Sequence, residues 1–172
     1  MLKYCVICVL MVSLVFGLGL KPSVDVYGGW RWQEASFEGF SEDNHYGNFG
    51  FGLIAPFSPI VGVNFSVFDL TIGGGATHIG LVGLIGLIEM IPGTTVSPYF
   101  RQFITLDFIT ENNIDYTNFG IGANIGAEFM SSSNVSPFVE GTFLYASESL
   151  ENLSADVVGL GATAGVRIKF GK

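Results

Sequence analysis

The sequence predicts an all-β chain, an eight-stranded antiparallel up-and-down β-barrel that crosses a membrane on its strands. Three observations predict it. Beyond residue 21 the hydrophobic period is two over successive segments, which marks strands with unlike faces. Of 172 residues 49% are hydrophobic and 13% charged, with mean hydropathy +0.51, where a soluble domain carries about 25% charge. The connections between segments alternate between short and long. The same composition excludes a disordered chain. The 24 glycines follow no triplet repeat, which excludes collagen. Seven bases against fifteen acids, a net charge of −8, exclude a nucleic-acid partner.

The first element is an apolar prefix. Residues 4–20 are uncharged between Lys3 and Lys21, and one base followed by an apolar stretch reads as a secretory signal peptide. Gly17 and Gly19 supply a small-x-small pair, so the expected division is a cleaved signal peptide at 1–19 and a barrel at 20–172. Cys5 and Cys8 both leave with the prefix, so the mature chain has no disulfide and no cysteine-bound metal. Six bases then face fifteen acids, a net charge of −9.

The strands follow in order. Val24, Val26, Trp30 and Trp32 oppose Asp25, Tyr27 and Arg31. Phe49, Phe51, Leu53 and Ala55 oppose Asn48, Gly50 and Gly52. Val61, Val63, Phe65 and Val67 oppose Gly62, Asn64 and Ser66. The fourth segment, His78–Met90, is apolar on both faces and has a glycine every third residue at 80, 83 and 86; its position between two alternating strands favours a strand over a buried helix. Phe100, Ile104, Leu106 and Phe108 oppose Arg101, Thr105 and Asp107. Phe119, Ile121, Ala123, Ile125, Ala127 and Phe129 oppose Gly120, Gly122, Asn124, Gly126 and Glu128. Val139, Phe143 and Tyr145 oppose Glu140 and Thr142. Last, Val158, Leu160, Ala162, Ala164, Val166, Ile168 and Phe170 oppose Gly159, Gly161, Thr163, Gly165, Arg167 and Lys169. These give strands near 23–34, 47–57, 59–70, 77–90, 97–109, 117–130, 135–147 and 156–170. A strand of about ten residues tilted about 40° rises about 25 Å, the height of a membrane barrel's apolar band.

Connections at 56–59, 91–98 and 131–136 read as short turns. Those at 35–47, 69–76, 110–117 and 147–156 read as longer, polar loops. Short turns at one end and long loops at the other is the layout of an outer-membrane barrel, with both termini at the short-turn end.

With the apolar faces outward, Asp25, Arg31, Arg101, Asp107, Glu128, Glu140, Arg167 and Lys169 point inward, four acids against four bases. Such charge must be paired, because buried unpaired charge is costly. The expectation is a lumen plugged by ion pairs, with the inward glycines leaving room for Arg31, Arg101 and Arg167 to cross it. The other acids gather in the long loops: Glu34, Glu38, Glu42 and Asp43, then Asp69, then Glu111 and Asp115, then Glu148, Glu151 and Asp156. No base accompanies them, and the acidic cap reads as a solvated surface or as a site for cations or a basic host or envelope ligand. Aromatic residues form two belts. Trp30, Trp32, Phe49, Phe108, Phe119, Phe143 and Tyr145 lie towards the long-loop end; Phe57, Phe100, Phe129 and Phe170 lie towards the short-turn end.

Taken together, and with the closing strand Gly165-Val166-Arg167-Ile168-Lys169-Phe170, residues 21–172 resemble the small outer-membrane β-barrel proteins of the OmpA/OmpX and opacity-like porin-family type. The resemblance implies a lipid bilayer and the barrel-insertion machinery as partners, the last strand being the signal that machinery reads. It also implies one of several roles, because the family holds adhesins, envelope-stabilising proteins and a few lipid-modifying enzymes.

Chemistry is sparse. His45 and His78 are the only histidines, and one loop histidine beside Glu42 and Asp43 makes a weak metal site. Ser41, Glu42 and His45 are the only compact Ser/acid/His grouping. Gly159-x-Gly161-x-x-Ala164 lacks the following helix of a dinucleotide site. The reading is therefore a monomeric, non-catalytic barrel with a structural or adhesin-like surface role and no cofactor or metal. The alternatives are a lipid-modifying enzyme using His45, or a soluble periplasmic barrel holding a small apolar ligand.

Overall fold

The computed structural model describes residues 22–37, 40–73, 76–93, 95–111, 114–150 and 153–170; the described side chains exclude 37, 67, 76–85, 106–111, 114–117, 148–150 and 153–154. The apolar prefix, expected to be a signal peptide, lies outside the described residues. Eight strands run in chain order: β1 (Ser23–Phe37), β2 (Phe40–Pro56), β3 (Val61–Gly73), β4 (Ala76–Met90), β5 (Val96–Glu111), β6 (Ile114–Phe129), β7 (Val135–Leu150) and β8 (Leu153–Lys169). Each pairs antiparallel with its neighbour, and β1 pairs with β8 to close the barrel. The segment with two apolar faces is thus strand β4, with Ile88 inside and Leu87 and Glu89 outside.

Register fixes the geometry of the cylinder. From Asp25 the ladder runs through Gly52, Ser66, Leu84, Thr105, Gly120, Ala146 and Val157 and returns to β1 at Ala35. One circuit therefore climbs ten residues. Ten residues at about 3.3 Å, spread over eight strands about 4.8 Å apart, tilt the strands by about 41°. A cylinder this narrow is filled by side chains. One apolar layer inside it is Ile54, Ile88, Tyr99 and Phe138; a second is Phe103, Leu144, Ala146 and Val157.

The connections correct the sequence reading. At the end shared with the termini they span residues 57–60, 91–95 and 130–134; at the far end only two residues separate the strand ends, at 38–39, 74–75, 112–113 and 151–152. What reads as long loops is continued strand. Glu34 lies opposite Asp43, Ala35 opposite Glu42 and Ser36 opposite Ser41 in an unbroken β1–β2 ladder. Once a hairpin rises past the apolar band, water meets both faces, so the hydrophobic period vanishes while the backbone pairing goes on. Strands of 13–17 residues at this tilt rise about 32–42 Å, well beyond the roughly 25 Å apolar band.

Candidate functional site: a filled lumen inside an apolar wall

The inner wall at the terminal end is built from charged side chains on five strands. Asp25 of β1 receives Arg167 of β8 through Nε at 2.8 Å and Nη2 at 2.9 Å, and Arg101 of β5 at 3.2 Å. Arg167 also reaches Glu128 of β6 at 2.7 Å, and Lys169 pairs with the same carboxylate. Arg101 lies 3.6 Å from Glu140 of β7, which also accepts Tyr99 Oη at 2.9 Å and Asn124 Nδ2 at 2.8 Å. Arg167, Asp25 and Glu128 are at most 2% exposed. Three acids and three bases share these contacts, so each buried charge has an opposite partner, the condition that makes its desolvation tolerable. The Arg167 guanidinium also lies over the Tyr99 and Phe138 rings, at 5.1 and 5.4 Å from their centroids.

Two expected members stand apart. Arg31 lies six residues up β1 from Asp25, about 20 Å along the strand, and among the described residues no carboxylate comes within the 4 Å of an ion pair. It is half-buried. The Asp107 side chain lies outside the described residues. Asp69, read from the sequence as the start of a loop, is instead a lumen residue. An irregularity between Ser66 and Phe68 changes which face the following residues occupy, as a β-bulge does. Asp69 then accepts Tyr27 Oη at 2.8 Å and Thr71 Oγ1 at 3.1 Å. Strict alternation carried through Val67 misses this.

The inward glycines make room for aromatic rings, which corrects the expectation that arginines fill that space. Tyr27 lies opposite Gly50, Tyr99 opposite Gly126, Phe103 opposite Gly122 and Phe138 opposite Gly165. A Cβ on Gly50 would stand 2.6 Å from the Tyr27 ring, and one on Gly165 2.7 Å from the Phe138 ring. The sequence carries a signal for two of these rings. Ser58-Pro59-Ile60-Val61, Ser97-Pro98-Tyr99-Phe100 and Ser136-Pro137-Phe138-Val139 repeat a Ser-Pro-x-apolar pattern every 39 residues. Each serine ties down a turn: Ser58 Oγ accepts Val61 N–H at 3.0 Å, Ser97 Oγ accepts Gly93 N–H at 3.0 Å, and Ser136 Oγ donates to Met130 O at 3.1 Å.

The outer wall carries the apolar residues. Trp30, Phe49, Phe119, Phe143 and Tyr145 are exposed towards the far end, with Trp32 half-buried beside them. Phe57, Phe100, Phe129 and Phe170 are exposed at the terminal end, and the Phe108 side chain lies outside the described residues. Between the two groups Ile104, Ile121, Ile125, Val139, Leu160 and Val166 face outward. Ile125 is 71% exposed, an arrangement that water would not tolerate over a whole wall.

The Ser41, Glu42 and His45 grouping does not assemble. All three lie on β2, not in a loop. Ser41 and His45, four residues apart on a strand, are separated by about 13 Å, and Glu42 occupies the opposite face. The His45 ring stacks on Trp30, centroids 5.4 Å apart. The His78 side chain lies outside the described residues. Among the described residues no group of three His, Cys, Asp or Glu side chains stands close enough to hold a metal ion, and no helix is long and apolar enough to cross a membrane.

No family model matches the chain, and no curated protein matches its sequence. Solved structures do match its fold. Neisserial surface protein A is 16% identical, with 86% of this chain aligned to 97% of that one at a TM-score of 0.57. The outer membrane protein OprG from Pseudomonas aeruginosa is 11% identical, with 89% aligned to 97% at 0.54. Ail, the attachment invasion locus protein of Yersinia pestis, in complex with the heparin analogue sucrose octasulfate, is 14% identical, with 87% aligned to 100% at 0.51. The chain has the eight-stranded fold of these small outer-membrane barrels.

Proposed function

We propose that the chain is a non-catalytic outer-membrane barrel with a structural or surface-interaction role, delivered by a signal peptide cleaved after Gly19. The observation that carries this reading is the inversion of its walls. At the terminal end six ionised residues face inward and meet one another, while isoleucines, valines and most of the belt aromatics face out. Neisserial surface protein A and Ail, a surface protein and an attachment protein by name, support a role at the far end. That end differs from a polyanion-binding one. Its hairpins carry Glu34, Glu42, Asp43, Glu111, Asp115, Glu148 and Asp156, and no base lies on any hairpin tip beyond Arg31. The partner chemistry that fits is cationic. The ion-paired, ring-filled lumen makes the barrel a plug and not a pore.

The test is fractionation of the full chain, with Leu160→Arg as companion. The mature protein should sediment with membranes and dissolve only in detergent, and Leu160→Arg, placed between the two aromatic belts, should lower its stability by about 2–4 kcal/mol. A mature chain in the soluble periplasmic pool contradicts the reading. Planar-bilayer recordings should show no stable conductance steps; steady steps would make it a channel.

A further inference from the structure

Among the described residues on the terminal half of the outer wall, Glu89 is the one charged side chain that faces outward. It sits on β4 one residue before the strand ends, exposed, between Val61 of β3 and Phe100 of β5 in register. Among the described residues no cation pairs with it. It borders a groove of about 560 Å³ whose other walls are apolar, Val61, Pro92, Pro98, Phe100 and Ile125 among them. A carboxylate facing hydrocarbon is tolerated only near the interface, and its position at the strand end beside the Phe100 belt places it there. An unpaired anion at headgroup depth above an apolar channel is complementary to one kind of molecule: a positively charged amine carrying an acyl chain.

We propose that this groove seats one chain of an amine-headed phospholipid, its ammonium paired with Glu89. The inference rests on the membrane reading above. The acyl chain lies along Phe100 and Ile125, and the carboxylate selects against anionic headgroups, which it repels.

The experiment is native mass spectrometry of the full mature chain in detergent, titrated with phosphatidylethanolamine and phosphatidylglycerol of identical chains. The wild type should retain the ethanolamine lipid about fivefold over the glycerol lipid, the ratio expected from one surface charge contact. Glu89→Gln should bring that ratio to about one, and Glu89→Lys should reverse it. Ile125→Trp, which fills the groove and leaves the charge, should reduce retention of both lipids alike. A membrane-inserted wild type with no preference, or a Glu89→Gln variant that keeps it, overturns this proposal alone. A wild type soluble without detergent overturns the membrane reading and this proposal together.

Discussion

Two arginines point into the same cylinder under different physical conditions. Arg167, at the terminal end, is 1% exposed and held between Asp25 and Glu128 with two aromatic rings beneath it. Arg31, towards the hairpins, is half-buried and has no carboxylate within 4 Å among the described residues. The terminal half holds three acids against three bases, so removing any one charge leaves three of one sign against two of the other. The far half is lined by Gln33, Ala155 and glycines such as Gly159 beside the packed apolar layer of Leu144, Ala146 and Val157. Among the described residues the ion pairs thus lie in the half where the barrel begins and ends, and the hairpin half carries none.

That contrast breaks most sharply at Arg167. Arg167→Met leaves Asp25 and Glu128 short of their main cation, and urea unfolding from lipid vesicles should show a loss of about 3–5 kcal/mol. A smaller loss, about 1–3 kcal/mol by the same measurement, is expected of Gly126→Val, whose new methyls run into the Tyr99 ring and disturb its hydrogen bond to Glu140. Arg31→Gln should shift the unfolding free energy by no more than about 0.5 kcal/mol, as for a surface position. A large loss at Arg31 would erase the distinction between the halves.

The eight strands, and the faces of those that alternate, were legible because period-two alternation survives wherever one side meets lipid; β4, apolar on both sides, gave a strand without a face. Val158 to Phe170 on β8 and Phe119 to Phe129 on β6 are plain examples. The hairpin tips were not legible, since Glu34 and Asp43 face each other in a ladder whose sides are both polar. Asp69 was hidden by the irregularity beside Val67. Tyr99, Phe103 and Phe138 were overlooked for a different reason: in a membrane barrel an apolar residue carries no label for inside or outside, and only the glycine across the ladder tells them apart.

Spin-label accessibility tests the inverted walls most directly. Beyond residue 19 the sequence has no cysteine, so in a chain beginning at residue 20 Leu160→Cys and Thr163→Cys, on opposite faces of β8, can each be labelled alone in reconstituted vesicles. The account predicts strong relaxation of the Leu160→Cys label by membrane-dissolved oxygen and little at Thr163→Cys. A Leu160→Cys label relaxed by a water-soluble nickel chelate and untouched by oxygen would contradict it.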